Sequence, residues 1–216
     1  MDRSDPRITE LIPPAIVAKE KVIWLFGRRK DYGREKYRRH YIETHAPLGL
    51  RLTRGLLGYT VNLVDKEGFP DAIVEQWVPS VLDFVTPETA YDTPEDWAQV
   101  RADYMHDRRD LFVVEEHVVR GKPLDTPLVQ PTPGVKVAWL YRSGESPPPP
   151  PPADAYRVVD NRVLRNLIRN EHGLWESGPT DIALIRMAWA TDIDKIGPAS
   201  DGVFLTEHRF RPSPWE

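Results

Sequence analysis

The stretch Lys21-Val22-Ile23-Trp24-Leu25-Phe26, with the residues that follow it as far as Val78, decides the fold. Its apolar run is rich in β-branched and aromatic residues and reads as a buried strand. A charged turn follows, Gly27-Arg28-Arg29-Lys30-Asp31. Residues 33–45 then read as a helix, because Arg34 to Thr44 holds no Gly or Pro and is full of good helix formers. Tyr37, Tyr41 and His45 fall four apart and line one stripe of that helix. His45-Ala46-Pro47-Leu48 is expected to end it, since the residue before a proline is pushed away from helical geometry. Gly58 to Val64 and Ala72 to Val78 read as two further strands.

Working outward, Thr93-Pro94-Glu95-Asp96 is a helix start with an N-cap, a proline at the first turn and acids at the positive end of the dipole. The helix is expected over 94–107, with Trp97, Val100 and Tyr104 on its apolar stripe and Arg101, Arg108 and Arg109 on its wet side. A strand over 111–119 completes a βαββαβ order. Beyond a Pro- and Gly-punctuated crossover at 121–134 the pattern returns. Val137 to Tyr141 matches Val22 to Phe26, Ile185 to Ala190 matches Ile73 to Val78, and the pair Glu207-His208 aligns with Glu116-His117. Residues 156–171 are free of Gly and Pro and are expected to form the first helix of this second unit. Its second helix is short at best, at 192–196, and the prolines at 147–152 form an extended insert.

Several of these pieces resemble the EthD family. They are Arg28-Arg29, the helix Tyr37…His40-Tyr41…His45-Ala46-Pro47-Leu48, Gly58-Tyr59…Asn62 and Glu75-Gln76-Trp77, within about residues 20–120. The resemblance implies a ferredoxin-like unit of the dimeric α+β barrel superfamily, in which two sheets face each other. The expected fold class is therefore α+β, with two ferredoxin-like βαββαβ-type units forming an α+β barrel and helices outside the sheets. Residues 1–19 are an arm, 20–120 the first unit and 135–216 an eroded second unit that supplies the facing sheet within one chain. A homodimer of first units is the alternative.

Composition excludes several functions. Charged residues make up 29% and the net charge is -4, so no basic stripe for nucleic acid or an anionic membrane is expected. There is no cysteine, which removes disulfides and thiolate chemistry and fits a cytoplasmic setting. No apolar stretch approaches the roughly 18 residues of a membrane span. The chain lacks a glycine-rich phosphate loop, a Gly-x-Ser-x-Gly elbow and a His-Glu-x-x-His motif, so no cofactor and no metal are expected.

The candidates for chemistry are polar residues on apolar elements. His45 is the first, as general acid or base near neutral pH; a histidine favoured by a helix C-terminus is the plainer reading. Tyr41 either orients His45, donates to a developing oxyanion or packs the core. His40 falls off the stripe and is expected to face solvent. His117 and its repeat partner His208 form either a paired site or a polar surface position. Tyr59 and Asn62 lie three apart on a strand, so only one faces the barrel. Glu75 and Trp77 share a face; Glu75 either pairs with an arginine such as Arg28 or acts as a base. Arg28 could greet an acidic substrate, and Tyr37 could line the pocket. The family setting implies a cofactor-independent lyase or isomerase step on a small aromatic or polyketide-like molecule bound inside the barrel. The alternatives are a non-catalytic binding protein of an oxidative degradation pathway and a haem or metal barrel.

Overall fold

The computed structural model describes residues 20–121, 132–145, 150–169, 175–196 and 202–210. The expected arm, most of the crossover linker and part of the proline insert lie outside the described residues. The first half contains β1 (Glu20–Arg28), α1 (Arg34–His40), a π-helical turn (Tyr41–His45), α2 (Ala46–Leu52), β2 (Gly58–Val64) and β3 (Ala72–Val78). Three short helices follow, α3 (Val81–Val85), α4 (Pro87–Ala90) and α5 (Pro94–Ala102), and then the long strand β4 (His106–Arg120). The second half adds β5 (Val135–Arg142), β6 (Arg157–Arg169), β7 (Trp175–Gly178), β8 (Ile182–Ala190), a 3-10 turn (Ile193–Ile196) and β9 (Val203–Phe210).

The strands are ordered β4-β1-β3-β2-β9-β5-β8-β6-β7, and β4 also pairs with β6. That pairing closes an eight-stranded antiparallel β-barrel, with β7 appended outside the ring. The expected α+β barrel of two ferredoxin-like units, with helices outside both sheets, is thereby overturned. Residues 156–171 are not a helix: Arg157–Arg169 is β6, paired with β4 on one side and β8 on the other. Val158, Val159 and Val163 favour the pleated surface, and without this strand the ring would stand open. The second expected helix is reduced to the 3-10 turn. Among its described residues, the second half contributes no α-helix of its own.

Two boundaries in the first half also move. The expected helix over 94–107 ends at Ala102, and β4 starts at His106 because its ladder with β1 runs as far as Arg28↔His106. Thr93 caps α5 through a reciprocal capping box with Asp96. The first helix does not stop before Pro47. The Ala46 N–H reaches the Tyr41 carbonyl across the π turn, and Pro47 takes an N-terminal position of α2, where a missing N–H costs little.

Alternation along the strands divides the core in two. Val22, Phe26, Tyr59, Val61 and Val74 point outward under the helices, with Tyr37 and Tyr41 above them. Ile23, Leu25, Ile73, Phe112, Ile185 and Met187 point into the barrel. The barrel also encloses a charged cluster. Lys21 Nζ donates to Glu75 Oε2 at 2.8 Å and to Asn161 Oδ1 at 2.8 Å. Lys136 Nζ donates to Glu75 Oε1 at 2.7 Å and to Asn62 Oδ1 at 2.8 Å.

Register shows that this cluster is nearly symmetric. Lys21 pairs with Trp77 on β3, and Lys136 with Trp189 on β8. Each ammonium lies over that ring, at 4.6 and 4.5 Å. Asn62 donates to the Ile73 carbonyl and Asn161 to the Ile185 carbonyl. Lys21 meets Glu116 and Lys136 meets Glu207. Glu75 breaks the symmetry, for Met187 stands in its place in the other half: Ile23 pairs with Glu75, and Ala138 with Met187.

Burial alone would raise the carboxyls of Glu75 and Glu207, but the lysines outweigh it; Glu75 falls well below its usual range and Glu207 to about 2. The corresponding stability is present above the unfolded pKa near 4.5 and is lost as pH falls toward 2. Urea titrations between pH 5 and 2.5 should therefore show a steep fall in unfolding free energy. Glu75→Gln removes the carboxylate that two buried ammoniums share, leaving Lys21 with Glu116 and Lys136 with Glu207, and is expected to destabilise the protein by about 3–5 kcal/mol, read as a lower urea midpoint at pH 7.

Candidate active site

The cavity that gathers the candidate residues lies outside the barrel, between the outward face of β1-β3-β2 and the helices. Its volume is about 120 Å³. Trp24, Phe26, Tyr59 and Val74 form its floor, and Phe84, Pro87, Tyr91 and Trp97 line it from the helical side. The helical roof is held by a Thr53↔Tyr91 bridge between the end of α2 and the end of α4. Trp175 of β7 and Arg169 of β6 close one side, so the second half contributes directly to a site built mainly by the first.

His45 lines this cavity and is 9% exposed. Its Nδ1 lies 2.9 Å from Asp103 Oδ2, and His40 Nε2 lies 2.8 Å from the other oxygen, Oδ1. Burial raises the Asp103 carboxyl, but the bonds from His45 and then His40 hold it below the usual range. An ionised carboxylate only accepts hydrogen bonds, so His45 carries a proton on Nδ1, and the neutral imidazole with that tautomer has its lone pair on Nε2. This pairing of an oriented imidazole with a buried aromatic chamber suits proton abstraction.

The π turn makes the arrangement possible. Residues five apart on an α-helix point about 140° away from each other. The π turn adds a residue to the winding, and His40 and His45 both reach one carboxylate. Helical periodicity alone therefore misplaced His40. Asp103 was missed because it sits at the C-cap of α5, in a span expected to continue as helix.

Beneath His45 the rings form a ladder. Tyr41 meets His45 edge-on at 5.2 Å between centroids, and Tyr37 meets Tyr41 at 5.6 Å. Tyr41 and Tyr59 both line the cavity, and each carries a hydroxyl that can donate to a ligand oxygen. Burial raises the pKa of Tyr37, Tyr41 and Tyr59. Tyr37 does not line the cavity; its hydroxyl lies 3.3 Å from Nδ1 of the buried His106, which stacks on Phe26 at 4.0 Å.

Other expected site residues lie elsewhere. Asn62, Glu75 and Trp77 face the barrel interior, where Glu75 pairs with Lys21 and Lys136 rather than with Arg28. Arg28 is bound to Asp71 and Glu67 at the end of β1, away from the cavity. His117 is on the surface, 2.8 Å from Glu115. His208 is on β9 opposite Val61, where burial and then the Arg38 charge lower its pKa. The two histidines do not form a paired site. Arg109, expected on a wet helical face, instead belongs to β4 and lines the cavity beside Tyr104. Among the described residues, no three His, Asp or Glu side chains converge as metal ligands would. No helix among them is long and apolar enough to cross a membrane.

No family model matches the chain, and no curated protein matches it. Solved structures with a similar fold include an anthrone oxidase-like protein, 11% identical, with 93% of this chain and 97% of that one covered at a TM-score of 0.53. A candidate monooxygenase from Fusobacterium nucleatum is 10% identical over 92% of this chain and 96% of its own, with a TM-score of 0.49. One from Lactobacillus acidophilus is 7% identical over 88% and 93%, with a TM-score of 0.45. At these identities, what the first shares with this chain is the barrel fold.

His106 offers a test of the ladder. Burial, then the charges of His45 and Arg109, lower its pKa well below 6.5. The folded protein keeps this ring neutral where the unfolded chain takes up a proton, so its contribution to stability falls as pH drops below about 6.5, by up to about 1.4 kcal/mol per pH unit. Nitrogen NMR of the ring should show it neutral at pH 5.5, and His106→Phe should flatten the stability profile between pH 6.5 and 5.

Proposed function

We propose that the protein is an acid/base enzyme acting on a small aromatic or polyketide-like molecule held between the sheet and the helices. The observation that carries this reading is the His45–Asp103 pair facing a chamber walled by aromatic rings. His45 Nε2 takes a proton from an activated C–H or O–H of the ligand. The electron pair stays on the ligand as an enolate or phenolate, and a hydroxyl of Tyr41 or Tyr59 donates to the oxygen where charge gathers. Asp103 stabilises the imidazolium that forms. Return of the proton to a different carbon is an isomerisation. Its delivery to a departing hydroxyl, with loss of water, is a lyase step. Both agree with the lyase or isomerase class that the sequence resemblance implies, and neither draws on a cofactor. In this reading the ligand is held beside the barrel, where the sequence resemblance implied a place inside it.

A panel of hydroxylated bicyclic and tricyclic aromatics and their reduced tautomers is the first assay, with products read by mass and by deuterium uptake from heavy water. His45→Gln should lower kcat by about 10²–10⁴-fold while circular dichroism and the melting temperature stay close to the wild type. Asp103→Asn should lower kcat less than His45→Gln and leave KM nearly unchanged. Turnover that survives His45→Gln, or product formation that needs dissolved oxygen, removes the lyase or isomerase reading.

A further inference from the structure

Arg109 and Arg169 both line the cavity, and each belongs to a different half of the chain. Their guanidinium carbons lie 5.7 and 5.5 Å from the centre of the same Trp175 ring. Arg169 also approaches Trp97 at 5.7 Å, and Arg109 binds the Tyr104 hydroxyl. Among the described residues, neither forms an ion pair with a carboxylate. Arg169 Nε is buried and lacks a hydrogen-bond partner there. Two cations on one ring repel each other, and a buried donor without an acceptor is costly. The nearby charges of Arg109 and Arg101 add to the desolvation that already lowers the pKa of Arg169. Other arginines, such as Arg28, Arg34 and Arg38, have carboxylate partners.

We infer that Arg109 and Arg169 form an anion subsite, and that the ligand is a flat aromatic acid. Its carboxylate lies at the two guanidiniums, its rings stack among the tryptophans, and its reactive hydrogen faces His45. This deepens the function proposed above and rests on the same cavity. A carboxylate supplies the acceptors that the guanidinium donors lack and offsets their repulsion. The subsite needs both halves, since Arg169 and Trp175 come from the β6–β7 hairpin and Arg109 from β4.

The test is calorimetric titration of the full chain at pH 7 with 2-naphthoate and with its uncharged methyl ester. The wild type should bind the acid at least about tenfold more tightly than the ester, a preference that shrinks as salt is raised. Arg169→Met and Arg109→Met, which keep the apolar stems, should each remove most of that preference while ester binding changes little. Equal affinity for acid and ester in the wild type overturns the inference without any variant, as does binding of neither. A preference that survives both substitutions overturns it too. The two readings fail separately: if the wild type prefers the acid but turns over no compound of the panel, the anion subsite stands and the proton-transfer function falls, whereas turnover that depends on His45 with equal binding of acid and ester leaves the function standing and removes the subsite.

Discussion

The carboxylate of Glu75 holds the two halves of this protein together. It is 3% exposed and accepts from Lys21 of one half and Lys136 of the other, with each lysine completed by an asparagine of the opposite half. A buried ion cluster of this kind gains little over well-packed apolar side chains in net stability, because desolvation offsets most of the attraction. What it adds is specificity. Each ammonium finds its acceptors only when β1 and β5 lie across the barrel in one register, so a slipped ring would leave charges unpaired. The apolar residues around it, Ile23, Ile73, Ile185 and Met187, supply the driving force for burial, and the charges select the arrangement.

The barrel interior is occupied by that cluster, and the aromatic cavity lies on the outer face. There the sheet offers aromatic side chains, and the helices offer a histidine whose orientation depends on a single irregular turn. The π turn at Tyr41–His45 lets His40 and His45 converge on Asp103 and carries the chain through Pro47 without a break. An α-helical turn there would send the two imidazoles to different faces and leave the carboxylate with one partner.

The sequence reading reached the strands of the first half and the stripe Tyr37-Tyr41-His45 because both follow simple periods. It also found the repeat: Val137 to Tyr141, Ile185 to Ala190 and the Glu-His pairs fall on strands that occupy equivalent places in the ring. It failed where tertiary pairing overrides local preference. Arg157–Arg169 holds no Gly or Pro to break a helix, but its valines suit a strand and two neighbouring strands require an extended partner. It failed again on facing direction. Asn62 and Glu75 were correctly identified as polar residues on apolar strands, but sequence cannot separate a bonded core cluster from a ligand site. The site residues that it missed, Asp103 behind His45 and Arg109, Arg169 and Trp175 on the cavity wall, come from separate elements of the two halves, and no spacing rule links them.

The lone carboxylate at position 75 has a consequence for how such barrels can change. In an assembly of two identical chains every residue near the symmetry axis is present an even number of times. Two lysines would meet two glutamates or two methionines, never one of each. Joining both halves in one polypeptide lifts that parity, so Met187 can stand where its counterpart is Glu75. The same freedom acts at the surface, where the second half lacks α-helices among its described residues and lends a hairpin to its neighbour. Among the described residues, each half is thereby released to differ, one building most of the aromatic chamber and the other closing its side.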